Sequence, residues 1–442
     1  MKHTSKYIVG LAVMTIGLVI PNEQSHAATN QVVTGTYTVH IGGYDWGANA
    51  DKVILSLDTP VEKVNKTAFK VKETFRKTDY DKKTLPVVTA TEARKITSAY
   101  LCDAAGKKVT GSSKLFALKL AVSPTAPDPI LMTDETKLNT WDKPYYFTIQ
   151  LAKKAKLSGA DQTVTKLKLA KNPAKVTTAA DMFTTDSYTA KDGVKYQYAA
   201  YNPAKNNDTL VVWLHGLGNG GTKNTDPKVA LLATKEYSLA SAKFQKQLGG
   251  ASIFVPQCPT YWMDNDGKGT NFNKGLTHPD GTSYYEASLY EAINAYKAKI
   301  GATKVILAGA SNGGYMTMLM GEHHPSDYKA LVPICEAMPN KLISETGIKA
   351  LASVPTFFIY AKNDTTVNPK KHEIPTIKRL KKANPVNLKV FAPAKVVDTS
   401  GKYKTASGKP YEYTGHAAWI YFENNKAFDG VSVWKWLGLL VK

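Results

Sequence analysis

Cysteine is scarce in this sequence: Cys102, Cys258 and Cys335 are the three among 442 residues. So few exclude a disulfide framework and allow at most one intramolecular bridge. Cys258 and Cys335 both follow apolar, strand-like runs, so a bridge between them and a pair of free buried thiols are both open. Acidic residues are also in short supply, 36 against 57 Lys and Arg, for a formal charge of +21. A surface of this kind attracts polyanions, which for an exported chain means anionic cell-wall polymer, acidic polysaccharide or anionic lipid head groups. A solvated, Lys-rich face that only confers solubility explains the same count and is the simpler reading. Recognition motifs for nucleic acid are missing. So is a zinc-ligand set, because His323 and His324 are adjacent and lack the HExxH spacing. The GxxxxGK[ST] pattern that cradles nucleotide phosphates does not occur.

Long apolar runs are missing after the first 20 residues, which excludes membrane-spanning helices from the rest of the chain. The amino terminus itself has Lys2 and Lys6, the apolar stretch Tyr7 to Ile20, and a polar segment ending Ser25-His26-Ala27. This is the pattern of a secretory signal, with cleavage expected after Ala27. The apolar run is short of the roughly 20 residues that an uncleaved membrane anchor needs. The expectation is therefore a secreted, extracellular protein, with cell-wall association open.

What remains is long enough for two domains of unequal size. From about residue 32 to 170 the chain reads as short strands, QVVTGTYTVHI, KVILSLD, AFKVKETF, RKITSAYLC, KLFALKLAV and YYFTIQLA, separated by turn residues and lysines. Tyr37, Val39 and Ile41 alternate with Thr36, Thr38 and His40, as in a half-buried strand. An all-β sandwich over residues 28–172 is expected, with a polar linker around Pro173 and the second domain over 173–442. In that second part strands alternate with helices, the signature of an α/β domain with a mostly parallel sheet. TLVVWLHG, ASIFVPQ, KVILAGAS and PTFFIYAKND carry the continuous hydrophobicity of strands covered on both faces. SYYEASLYEAINAYKAKIG and GGYMTMLMGEHHP read as helices, the first stopped at Gly301 and the second by Pro325.

The sharpest chemical signal is VILAGASNGGYM, in which Gly309, Ser311 and Gly313 form GxSxG between an apolar strand and a helix. That context makes a nucleophile elbow: the serine sits in a tight turn whose neighbours must be small, and its Oγ stands above the sheet edge. Serine is a poor nucleophile near neutral pH, so a histidine must take its proton and an acid must orient that histidine. In this chain order the acid and the histidine follow the serine. Asp364, past PTFFIYAKN, is the candidate acid, with Glu336 after ALVPIC as its rival and otherwise a pocket residue. Of the nine histidines only His372 and His416 come after Asp364. His372 lies in a Lys-rich segment, so His416 in YTGHAAW is the candidate base. The loop HGLGNGG is placed to supply an oxyanion hole, with the amides of Leu217 and Asn312 as donors and His215 bracing the loop rather than acting as a base. Tyr261, Trp262 and Trp419 fall in segments near the expected mouth and are candidates for substrate contact, core packing being the alternative.

These motifs resemble a known group, secreted bacterial α/β-hydrolases with an amino-terminal immunoglobulin-like domain, described as esterases or prolyl-oligopeptidase-family proteins. TYTVHIGGYDWG resembles the opening of that immunoglobulin-like domain. LHGLGNGG, GASNGGYM, YAKND and GHAAW resemble the oxyanion loop, elbow, acid loop and histidine loop. The resemblance implies Ser311, Asp364 and His416 as the triad of a serine carboxylesterase working through an acyl-enzyme, with feruloyl esters or polyesters among the substrates of related enzymes. It implies no metal or organic cofactor. A serine peptidase of the prolyl-oligopeptidase type would use the same triad, although its large propeller has no counterpart in the small β-rich segment here. A basic cell-wall-binding protein is the non-enzymatic alternative, and an intact set of Ser, Asp and His argues against it.

Overall fold

The computed structural model describes residues 1, 29–78, 86–132, 138–159, 162–205, 207–221, 226–269, 279–428 and 430–442. The signal segment expected over residues 1–27 lies, apart from Met1, outside them. Among the described residues, no helix is long and apolar enough to cross a membrane.

The amino-terminal half is a β-sandwich. Its strands are β1 (Thr29–Tyr44), β2 (Gly47–Val61), β3 (Phe69–Thr78), β4 (Val87–Arg94), β5 (Ile96–Leu101), β6 (Ser113–Leu120), β7 (Ile130–Met132), β8 (Asn139–Trp141), β9 (Tyr146–Leu151), β10 (Leu157–Ser158), β11 (Gln162–Leu169) and β12 (Lys175–Thr178). One sheet runs β10-β11-β1-β2-β6-β5, a second runs β4-β3-β9, and β7 pairs with β8. The alternation read around Tyr37 is observed: Tyr37, Val39 and Ile41 are buried, and the intervening residues are partly exposed. They face Phe116, Leu118, Phe147 and Ile149 in the core. Tyr37 keeps its hydroxyl satisfied there, donating to the Lys171 carbonyl at 2.8 Å and accepting from the Phe147 amide at 2.9 Å.

The polar segment read as a linker around Pro173 contains a strand. After β11 the chain does not leave the sandwich. β12 pairs in parallel with β1, Thr38 opposite Lys175 and Ile41 opposite Thr178, so residues up to about 178 belong to the first domain. The segment is polar because it lies on an exposed edge, where backbone pairing rather than side-chain burial holds it.

The second domain is built on an eight-stranded sheet of β13 (Thr184–Thr189), β14 (Lys195–Tyr201), β15 (Thr209–Leu214), β16 (Ala251–Gln257), β17 (Lys304–Ala310), β18 (Ala330–Ile334), β19 (Thr356–Ile359) and β20 (Leu388–Phe391). Their order is β13-β14-β16-β15-β17-β18-β19-β20. β14 is antiparallel to both neighbours, and β16 through β20 pair in parallel. This is the α/β-hydrolase topology, with a central run of strands whose carboxyl ends all open on one edge. Alternation places Val211, Trp213, Ile306 and Ala308 on one face and Leu210, Val212, Val305 and Leu307 on the other. The first face is covered by α1 (Lys228–Leu232), α2 (Ala242–Leu248), α7 (Trp419–Glu423) and α8 (Val433–Val441). The second is covered by α3 (Glu286–Lys299), α4 (Asn312–His323), α5 (Glu345–Ala352) and α6 (Glu373–Ala383).

The two domains share a core. The apolar cluster on the first face runs without a break into the interior of the sandwich. Polar contacts lock the seam: Tyr237 donates to the Gly43 carbonyl at 2.8 Å, and Lys235 and Asn424 both reach Asp45, at 3.2 and 2.9 Å. Trp46 packs edge-on against Tyr403 with ring centroids 4.5 Å apart.

Candidate active site

The GxSxG segment folds as its small residues require. β17 ends at Ala310, Ser311 takes φ 55° and ψ −113°, and α4 begins at Asn312. A non-glycine residue in that region costs on the order of 1–3 kcal/mol and persists only where surrounding structure fixes it. The flanking glycines are what admit the turn. A β-carbon on Gly313 would lie 1.9 Å from the Leu214 carbonyl oxygen, and one on Gly309 would lie 2.5 Å from the Gly313 carbonyl oxygen. Ser311 is half-buried, so its hydroxyl can be reached from outside.

Asp364 sits in the loop after β19, and His416 in the turn before α7. His416 Nε2 lies 2.8 Å from Ser311 Oγ, and its Nδ1 lies 2.7 Å from Asp364 Oδ2. The other oxygen of Asp364, Oδ1, accepts from the amides of Thr366 (2.8 Å) and Val367 (3.0 Å). Its side chain is shut off from solvent, with hydrogen-bond partners on both oxygens. Trp419 stands edge-on to the His416 ring, 5.6 Å between centroids.

The loop expected to supply the oxyanion donors begins where β15 ends. Leu217 opens a 3-10 turn, Leu217–Asn219, and Asn312 is the first residue of α4. First-turn amides of a helix have no acceptor within it, so both N–H groups are available to a ligand. His215 is fully buried. Its Nε2 accepts from the Cys258 amide at 2.9 Å, which leaves the proton on Nδ1 to be donated to the Gly216 carbonyl at 2.7 Å. Burial pushes its pKa down to about 4, so it remains neutral and braces the loop.

The rival residues have other hydrogen-bond partners. His372 caps α6 and has its Nδ1 on the Asn368 carbonyl at 2.9 Å. Glu336 is entirely buried beside the elbow, and its Oε2 accepts from the Met338 amide at 2.6 Å. Desolvation raises its pKa to about 8. Glu373, also buried, is raised well above the usual range by burial first and by Glu336 second.

Of the aromatic residues placed at the mouth, Trp262 and Tyr261 are interior, 0% and 2% exposed. Trp262 packs between Tyr196 and His215, its indole N–H donates to the His215 carbonyl at 3.1 Å, and its backbone N–H donates to Asn312 Oδ1 at 2.6 Å. It ties the oxyanion loop to the elbow from beneath, the reverse of an open pocket wall. A chain segment rich in turn residues looked like a surface loop, but its ring had an enclosed acceptor to satisfy. Trp419 remains half-buried beside His416. Cys258 and Cys335 are free and buried, as is Cys102. Three bracing residues were not legible in the sequence: Trp262 in this role, Gln257, which donates to the Asn219 carbonyl at 3.1 Å, and Asn139 of β8, which donates to Asn219 Oδ1 at 2.7 Å. No sequence signal marks Asn139, because its partner lies 80 residues away in the other domain.

Residues 36–166 match the family model described as the esterase Ig-like N-terminal domain. Comparison with the curated proteins finds no match. Among solved structures, a thermostable esterase superposes with a TM-score of 0.67 over 88% of this chain and 96% of its own, at 18% identity. A ferulic acid esterase covers 59% of this chain and 97% of its own, with a TM-score of 0.36 and 14% identity. An acylaminoacyl peptidase of Pyrococcus horikoshii covers 48% of this chain and 37% of its own, with a TM-score of 0.33 and 14% identity. Similarity to the thermostable esterase extends over both domains and is one of fold. The chain thus joins an esterase-type immunoglobulin-like domain to a domain of the α/β-hydrolase fold.

Proposed function

We propose that this protein is a secreted serine carboxylesterase. The observation that carries the reading is the aligned set Asp364, His416 and Ser311, with hydrogen-bond distances of 2.7 and 2.8 Å, at the carboxyl edge of the sheet. His416 Nε2 takes the Ser311 proton as Oγ bonds to the ester carbonyl carbon. Asp364 keeps Nδ1 protonated and stabilises the imidazolium that forms. The negative charge on the carbonyl oxygen is met by the amides of Leu217 and Asn312. The tetrahedral adduct collapses, the C–O bond to the alcohol breaks, and His416 returns the proton to the leaving oxygen. Water, deprotonated by the same imidazole, then cleaves the acyl-enzyme and releases the acid. Feruloyl or polyester-type esters are the substrates proposed first. The family of the amino-terminal domain supports an ester over a peptide bond, and the apolar stretch after Lys6 supports export. The excess of basic residues supports contact with an anionic wall polymer.

Treatment of the purified protein with a fluorophosphonate, followed by peptide mass spectrometry, should place one adduct on Ser311, and Ser311→Ala should be inert. Labelling elsewhere, or activity in that variant, overturns the assignment. A panel of acyl esters beside peptide amides decides the bond: faster turnover of the amides would make the protein a peptidase.

A further inference from the structure

The sandwich also reaches the hydrolase domain at the oxyanion turn. β7 and β8 pair antiparallel, with Met132 opposite Asn139 and Ile130 opposite Trp141. Asn139 and Trp141 are two residues apart on a strand, so their side chains leave the same face. Both grip the loop that follows β15. Asn139 Nδ2 donates to Asn219 Oδ1 at 2.7 Å, and Trp141 Nε1 donates to Asp226 Oδ2 at 3.1 Å. Asp226 is itself fixed, its Oδ1 accepting from the Lys228 amide at 2.9 Å at the start of α1. Met132 adds an apolar contact. A β-carbon on Gly218 would stand 3.0 Å from the Met132 methyl and 3.1 Å from Asn139 Nδ2, so strand and turn are in close contact.

On the hydrolase side Gln257 holds the Asn219 carbonyl, and His215 anchors the start of the loop. The Asn219 side chain takes the Asn139 amide on its Oδ1. The amide of Leu217 lies two residues before Asn219 in the same 3-10 turn, so a rotation of the turn moves that amide. Oxyanion donors act only when they stand about 2.7–3.1 Å from the developing charge.

We infer that Asn139 is a positioning residue for ester hydrolysis: through Asn219 the immunoglobulin-like domain sets the oxyanion turn of the neighbouring domain. The inference rests on the serine-esterase reading above. It makes the sandwich a working part of the active site, whatever polymer it also contacts. Trp141 restrains the far end of the same loop, and the two bonds act from one rigid strand, which fixes a site better than a free loop does.

The test uses the full chain and a small soluble ester such as p-nitrophenyl acetate. One neutral hydrogen bond is lost in Asn139→Ala, so kcat should fall roughly 3- to 10-fold with KM and thermal midpoint near those of the wild type. The second-order rate of Ser311 phosphonylation should fall in parallel, since that adduct also places an oxygen in the oxyanion hole. Asn219→Ala should give the same loss, and the double variant no more than either alone. An unchanged kcat in Asn139→Ala, a change in KM alone, or additive losses in the double variant would overturn the inference. Failure of the underlying reading looks different: Ser311→Ala would stay active or the label would fall elsewhere. If Ser311 is labelled and essential while Asn139→Ala keeps its kcat, only the positioning role is lost.

Discussion

Replacing Asp364 with asparagine keeps the size of the side chain and tests the proton arrangement of the site. In the native structure Oδ1 accepts from two backbone amides, Thr366 at 2.8 Å and Val367 at 3.0 Å, while Oδ2 accepts from His416 Nδ1 at 2.7 Å. Asparagine has one oxygen. The two amides can be satisfied only by that oxygen, so the NH2 group must face His416. A donor there requires Nδ1 to be the acceptor, which moves the ring proton to Nε2, where it blocks transfer from Ser311. Turning the amide over restores the tautomer but leaves two enclosed N–H groups facing an NH2. At about 1–3 kcal/mol for each unsatisfied group, that orientation lies roughly 2–6 kcal/mol higher. At 1.36 kcal/mol per decade the competent population, and hence kcat, falls by about 30- to 25,000-fold, and the loss of the charge that stabilises the imidazolium pushes toward the larger figure. The assay is kcat/KM for a nitrophenyl ester near neutral pH, with circular dichroism to show that the fold is kept. Activity within tenfold of the wild type would refute the tautomer argument. A large loss in Glu336→Gln with little in Asp364→Asn would transfer the acid to Glu336.

Glu336, with a pKa raised by burial to about 8 from an ordinary 4.5, is neutral in the fold at lower pH, so its contribution to stability is full below about pH 4.5 and is lost as pH rises through about 8. Urea midpoints measured across that window should decline more steeply for the wild type than for Glu336→Gln, by at most about 1.4 kcal/mol per pH unit; equal slopes would show that Glu336 is not held neutral. Gly313→Ala should destabilise by about 3 kcal/mol or fail to fold, because its β-carbon would meet two backbone oxygens, of Leu214 at 1.9 Å and His215 at 2.7 Å, and a urea midpoint near that of the wild type would refute the clash. Titration with a thiol reagent should find no reactive cysteine in the native protein and three after unfolding without reductant; fewer than three would reveal a bridge.

The two-domain division and the strand runs were readable because backbone periodicity is local: Tyr37, Val39 and Ile41 declare a half-buried strand, and VVWL a fully buried one. The elbow was readable for the same reason, since a turn that holds a serine at positive φ demands small neighbours within two residues. Asp364 and His416 were legible from chain order, which the sheet topology turns into nearness, but the Asp364–His416 and His416–Ser311 contacts span 52 and 105 residues and exist only when β17, β19 and the last turn before α7 are assembled. The segment after Pro173 reads as a linker because β12 is polar, and only its pairing with β1 shows it as a strand. Trp262 passed for a pocket residue because hydrophobicity does not say which buried carbonyl an indole must satisfy. Asn139 was invisible for the plainest reason: a hydrogen bond between domains leaves no period, spacing or composition along the chain. Sequence alone thus determined the local chemistry, a serine in an elbow with an acid and a histidine to follow. Tertiary structure decided which groups hold that chemistry in register, because distances near 2.7 Å are set by packing between elements far apart in the chain.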